Sequence, residues 1–180
     1  MSDFVILTDS SADLGADLAQ RLNVQVVPLC FVMDDHTYYN YPDNREMDPH
    51  AFYDRLRQGD LATTNAVNVA QYTEALEPLL QEGRDVLILA FSSGLSNTYN
   101  SSRLAVEELS VKYPDRKLYT VDTLCASLGQ GLLVWYTARE RDRGHSIDEV
   151  RDWVEERKLN LCHQFTVDDL HFLKRGGRIS

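Results

Sequence analysis

Basic residues are scarce in this chain. Its 180 residues carry 18 Lys and Arg against 28 Asp and Glu, a formal net charge of −10. A surface built for nucleic acid needs clustered cations, so that class of partner is excluded. Cysteine is scarce as well: Cys30, Cys125 and Cys162 form no C-x-x-C and have no histidines at zinc spacing. An odd, scattered set reads as free thiols in a reducing compartment. No apolar stretch approaches the roughly 18 residues of a membrane span. The opening "MSDFVILTDSS" has neither the basic n-region nor the long apolar h-region of a signal peptide. A cytoplasmic protein is expected on these grounds. Neither a G-x-x-x-x-G-K-[ST] phosphate loop nor a G-x-S-x-G nucleophile elbow occurs, and the five histidines make no i, i+4 metal pair. No metal and no cofactor are expected.

What the chain does have is alternation. With 43% hydrophobic residues it can bury a sizeable core. "FVILT", "VQVVPLCFVM", "DVLILAF", "KLYTVDT" and "LCHQFTV" read as strands, the second with Pro28 at an edge or bulge. Between them lie helical patterns. "SADLGADLAQRLN" spaces Leu14, Leu18 and Leu22 by four, and "DPHAFYDRLRQG" runs from an acidic cap to a stop glycine. Asn68 reads as the cap of a helix that Pro78 kinks or shortens. The next helix turns Leu104 and Leu109 inward. Ser146 with Glu149 has the spacing of a capping box. Tyr38 to Pro42 reads as irregular, and "LATTNAVN" as a loop. Strands alternating with helices predict an α/β fold, a mostly parallel sheet flanked by helices. Residues 1–165 form one α/β domain on this reading, and 166–180, ending in Ile179 and Ser180, open another element.

Three strands finish on small oxygen-bearing residues: Asp9, Ser10 and Ser11; Ser92 and Ser93; Asp122 and Thr123. In a parallel sheet these ends share one edge, where ligands bind at a topological switch point. Thr63 and Thr64 could join them from their loop. Each cluster has a plainer reading as helix cap or turn. A cap, however, needs one such side chain, and "FSSGLSNT" supplies five. Hydroxyls without a neighbouring general base are poor nucleophiles but good donors, so the pattern favours binding an anion over catalysis. Arg178, between Gly177 and Ile179, is the candidate counter-charge.

In this order and spacing, "ILTDSSADL", "SSGLSNTYNSSRLA", "VDTLCASLGQGLLV" and "LKRGGRIS" resemble the DegV family of bacterial fatty-acid-binding proteins, over essentially the whole chain. The resemblance implies an N-terminal α/β domain of this length and a second α/β domain, mostly missing here. It also implies a function without catalysis. One long-chain fatty acid is held in a tunnel, and its carboxyl group is presented to an ATP-dependent fatty acid kinase. The acyl phosphate formed feeds phospholipid synthesis. By motif, the carboxylate would be held by Ser93 with Ser92 beside it, by Thr64 or Thr63, and by Arg178, with Asp9 and Ser10 at the same rim. "TTNAVN" stands where many relatives have a T-S-Q-P-like loop, which leaves the choice between the two threonines open. Each buried methylene is worth about 0.8 kcal/mol, so a sixteen-carbon tail could gain on the order of 10 kcal/mol before entropy costs. The apolar "LGQGLLVWYTA" could wall such a tunnel, with Gly129 and Gly131 permitting close approach. The rival expectation is a small-molecule kinase or phosphotransferase subunit related to dihydroxyacetone kinase. It needs a histidine at a strand end, and none is predicted there.

Overall fold

The computed structural model describes residues 4–167 and 169–179, so Ser180 lies outside the described residues. The strands are β1 (Phe4–Asp9), β2 (Val24–Val27), β3 (Cys30–Met33), β4 (His36–Tyr39), β5 (Ala62–Asn65), β6 (Asp85–Ala90) and β7 (Leu118–Asp122). The helices are α1 (Ala16–Arg21), α2 (Pro49–Gln58), α3 (Val69–Gln81), α4 (Thr98–Lys112), α5 (Leu128–Asp142), α6 (Ile147–Arg157) and α7 (Leu170–Arg175). Strands β2, β1, β6 and β7 lie in that order in one parallel sheet, while β4, β3 and β5 form a small antiparallel one.

The main sheet is covered on both faces, which is why β1 and β6 are apolar almost throughout. Phe4, Ile6, Leu87 and Leu89 face α1, α5 and α6. Val5, Leu7, Val86 and Ile88 face α3 and α4. The chain leaves β1 toward α1 on the first face and leaves β6 toward α4 on the second. The neighbouring strands β1 and β6 thus send their exits in opposite directions, and the topological switch point falls between them.

The parallel sheet and flanking helices agree with the sequence; several boundaries do not. "VQVVPLCFVM" is two strands in two different sheets, not one with a bulge. Pro28 cannot donate to a ladder, so the main sheet releases the chain there. The departing backbone is held at Leu29, whose N–H donates to Ser10 Oγ (3.0 Å), and at Pro28, whose carbonyl accepts from Gln71 Nε2 (3.2 Å). Tyr38 and Tyr39 lie in β4, not in an irregular stretch. Asp34 and Asp35 both take positive φ (51° and 59°), the requirement of a two-residue hairpin turn, which these aspartates meet without a glycine. Part of "LATTNAVN" is the short polar strand β5. "LCHQFTV" is no strand. Among the described residues the sheet ends at β7, and Leu161 instead packs on the core beside α5 and α6. Helix α1 starts late because a 3-10 turn, Ser10–Ala12, precedes it, although Leu14, Leu18 and Leu22 still meet one core. In α4, Ser101, Ser102, Ala105 and Leu109 turn inward while Leu104 is only half-buried. Helix α3 runs through Pro78 to Gln81, and both expected capping boxes, Asn68–Gln71 and Ser146–Glu149, are present.

Gly131 seats α5 against the 3-10 turn. A Cβ there would lie 2.5 Å from the Ala12 carbonyl oxygen and 3.3 Å from Leu14 Cδ2. Backbone cannot swing aside as a side chain can. Gly131→Ala is therefore expected to destabilise the fold by about 1–3 kcal/mol, read from the denaturant midpoint. A variant as stable as the parent would mean that the turn is not pinned to α5.

Candidate functional site

The parallel sheet brings together the ends of β1, β6 and β7 at one rim, and hydrogen bonds tie their loops together. Between β1 and β6 the tie is Asp9, wholly buried. Its Oδ1 accepts from Ser11 N–H (3.0 Å), while Oδ2 accepts from Phe91 N–H (2.8 Å) and Gln130 Nε2 (3.1 Å). Gln130 also donates to Thr8 Oγ1 (3.0 Å) and the Leu89 carbonyl (3.2 Å). The Asp9 carboxyl titrates above the ordinary aspartate value because burial outweighs these donors. Nearby, Tyr72 is fully buried, and among the described residues its hydroxyl has no hydrogen-bond partner. Burial first, and the Asp9 charge second, raise its pKa well above the usual tyrosine value.

Between β6 and β7 the bonds are mainly backbone. The Thr123 N–H (3.2 Å) and hydroxyl (2.8 Å) both donate to the Ala90 carbonyl. Ser92 N–H donates to the Cys125 carbonyl (3.3 Å). Asp122 Oδ1 accepts from Ser93 N–H (3.1 Å) and from Leu124 N–H (3.2 Å), so these two residues sit side by side. Lys158 Nζ donates to the Asp122 carbonyl (2.9 Å) and pairs with Glu155 (2.7 Å). Ser127 Oγ donates to Asp13 Oδ2 (2.5 Å), joining the β7 loop to the turn after β1.

The seven residues singled out in the sequence fall into four groups. Asp9, Ser10 and Ser92 are buried, and each accepts a backbone N–H: Asp9 as above, Ser10 from Leu29, Ser92 Oγ from Gly94 (3.2 Å). They give the rim its shape. Ser93 is exposed, and among the described residues its hydroxyl has no partner. Thr63 and Thr64 are exposed on β5, in the other sheet. Neighbouring strand residues point to opposite faces, so the two cannot serve the same ligand from one face. Thr64 pairs with Phe31 and Thr63 with Val32. Arg178 follows α7, its guanidinium donating to the Gly176 carbonyl (2.5 Å), and no hydrogen bond links it to the Ser93 loop among the described residues.

Two contributors escaped sequence reasoning. Gln130 is a lone amide between two glycines in an apolar helix, a signal that a polar side chain is required inside. Asp122 is read there only as a strand-end residue, yet it fixes both Ser93 and Leu124. The glycines of α5 receive protein, not ligand: a Cβ on Gly129 would lie 2.7 Å from the His163 ring, as one on Gly131 would meet Ala12. Of the helix residues proposed as a wall, Leu133 is core, Trp135 is half-buried and Leu132 faces outward. A pocket of ≈ 160 Å³ beside Ser10 and Asp13, reaching Tyr41 and Asn44, is smaller than usual ligand pockets and touches neither Ser93 nor Thr64. Among the described residues no group of metal-binding side chains occurs, and no helix is long and apolar enough to cross a membrane.

A parallel sheet with helices on both faces and loops gathered at its carboxyl rim defines the class of open-sheet α/β domains. The family model for "Uncharacterised protein, DegV family" matches residues 3–180, and the chain belongs to the DegV family. A DegV domain-containing protein of Clostridium perfringens is 50% identical over all of this chain, which spans 62% of that protein. One from Lactococcus lactis is 34% identical over 98% of the chain, corresponding to 61% of its own length. Among solved structures, a fatty-acid-binding DegV protein of Thermus thermophilus superposes with a TM-score of 0.82 at 32% identity, over 97% of this chain and 60% of its own. A Thermotoga maritima protein with fatty acid binding function gives 0.74 at 31% identity, over 89% and 56%. The chain thus spans less than two thirds of the relatives it matches.

The displaced titration of Asp9 has a sign. A raised carboxyl pKa means that the folded state binds this proton more tightly than the unfolded chain. The contribution of Asp9 to stability therefore falls as pH rises from its unfolded pKa through its folded one. A carbon-detected NMR titration of its carboxyl is expected to give a midpoint above that of an exposed aspartate. A midpoint at or below that value would remove burial as the dominant influence.

Proposed function

We propose that this protein binds a long-chain fatty acid by its carboxyl group at the rim formed by the β1, β6 and β7 loops, without catalysing a reaction on it. The observation that carries the reading is the Ser93 hydroxyl. It is exposed and, among the described residues, has no partner, at a rim where its neighbours Asp9, Ser10 and Ser92 are buried and each accepts a backbone N–H. A carboxylate needs two or three donors to replace its water. Ser93 offers one, and Thr64 or Thr63 a second on this reading. Arg178 supplies the charge once the stretch after α7 reaches the head group. Fatty acid binding by the Thermus and Thermotoga relatives supports the ligand class. The finer part of the proposal is a partner: an ATP-dependent fatty acid kinase that phosphorylates the presented carboxyl, in the cytoplasm. No group of this chain is required as a nucleophile.

Lipid extracted from the purified protein should contain a fatty acid by mass spectrometry, and an empty protein that also fails to take up stearate would refute the reading. Ser93→Ala should weaken carboxylate binding by roughly 1–3 kcal/mol, the scale of a hydrogen bond to a charge; unchanged affinity removes Ser93 from the head-group site. Arg178→Ala should suppress phosphate transfer to the bound acid by a fatty acid kinase, and full transfer would eliminate its role.

A further inference from the structure

We infer that one internal water molecule is bound between the Tyr72 hydroxyl of α3, the Asp9 carboxylate and the Gln130 side-chain oxygen, fastening α3 to the crevice between β1 and β6. This inference stands apart from the fatty-acid reading. Tyr72, Asp9 and Gln130 are each 0% exposed. Among the described residues, Tyr72 Oη and Gln130 Oε1 are both buried without a hydrogen-bond partner. A polar atom in that position forfeits the bonds it makes in solvent, and the loss is large enough to be avoided in most folds. Phenylalanine would fill the same space as Tyr72 with no such loss. The hydroxyl therefore calls for a partner.

Strand geometry sets that hydroxyl and the carboxylate on one side of the sheet. Val5 and Leu7 pack in the cluster that includes Tyr72, and side chains alternate along β1, so Asp9 projects to the same face. Its charge acts on Tyr72, yet no direct hydrogen bond joins the two. Gln130 comes to the same carboxylate from α5, its Nε2 donating to Asp9 Oδ2 (3.1 Å), so Oε1 of the same amide is close by. The amide cannot be turned around, because the carboxylate and the Leu89 carbonyl (3.2 Å) both require a donor.

Bonding capacity fits a single water. It offers an acceptor to the Tyr72 O–H and two hydrogens, one for Gln130 Oε1 and one for Asp9. Three bonds are the usual complement of a buried water. The carboxylate, whose charge burial disfavours, gains from a further donor. A metal cation could satisfy the two oxygens but would leave the Tyr72 hydrogen without an acceptor.

The test replaces Tyr72 by Phe in the full chain, which removes the hydroxyl and keeps the ring. Magnetic relaxation dispersion of the water nuclei counts long-lived internal waters, and denaturant titration reads stability. The expected result for Tyr72→Phe is one long-lived water fewer than in the parent, together with a lower denaturant midpoint. An unchanged count would overturn the inference. So would a midpoint equal to or above that of the parent, the gain expected when an unanswered hydroxyl is deleted from a core. Should Tyr72→Phe fail to fold, a crystal structure of the parent decides. A water bonded to Tyr72 Oη and Gln130 Oε1 upholds the inference, and a site holding none overturns it.

Discussion

The rim is organised by one buried carboxylate. Open α/β sheets leave a crevice where adjacent strands send their exits to opposite faces, and ligands commonly enter it. Here that crevice lies between β1 and β6, and Asp9 closes it with Phe91 N–H on one oxygen and Ser11 N–H on the other. Gln130 reaches in from α5 to complete the set. The protein thereby accepts the desolvation of a carboxyl, visible in its raised pKa, in exchange for a fixed relation between two loops and a helix.

Filling the crevice has a consequence for where a ligand can go. Asp9, Ser10 and Ser92 are buried and already accept backbone N–H groups, so among the described residues an exposed hydroxyl without a partner stands further out, at Ser93, toward β7. There the neighbouring group is Leu124, held by the same Asp122 oxygen that holds Ser93. An exposed hydroxyl and an exposed leucine thus meet at one point as a result of two hydrogen bonds to a single atom. That adjacency is a property of the fold and does not depend on what is bound.

Much of this was legible in the sequence because parallel strands advertise themselves. "FVILT" and "DVLILAF" are short, almost wholly apolar runs, as strands covered on both faces are, and each is followed by small polar residues. The capping residues Asn68 and Ser146 were equally plain, since a side-chain acceptor followed by Gln or Glu three residues on has one efficient use. What failed was what depends on partners distant in sequence. Strand β5 is short and polar and exists because β3 lies beside it. "LCHQFTV" reads as a strand by composition, yet among the described residues no strand pairs with it. Pro28 signalled an interruption, yet nothing local says that the chain beyond it joins a second sheet. The roles of Ser10 and Asp9 were hidden for the same reason: Ser10 reaches a backbone amide nineteen residues away, Asp9 one eighty-two residues away.

Until Arg178 reaches the head group, as proposed, the rim offers hydroxyls and not cations, in keeping with the electrostatics of the whole chain. The nearest lysine, Lys158, is committed to the Asp122 carbonyl and to Glu155. Its charge is largely answered before any ligand arrives. A rim of neutral donors in a protein of net charge −10 attracts anions weakly at long range, since the overall field opposes them. Selectivity at such a rim must come from short-range contacts, namely donors that fit a carboxyl and an apolar surface that a small hydrophilic anion cannot use. Phosphate or citrate would meet the same repulsion without the compensating hydrocarbon burial. On the proposed reading, the acidic field and the burial of hydrocarbon are then two parts of one discrimination, the first disfavouring free anions and the second admitting those that carry a tail.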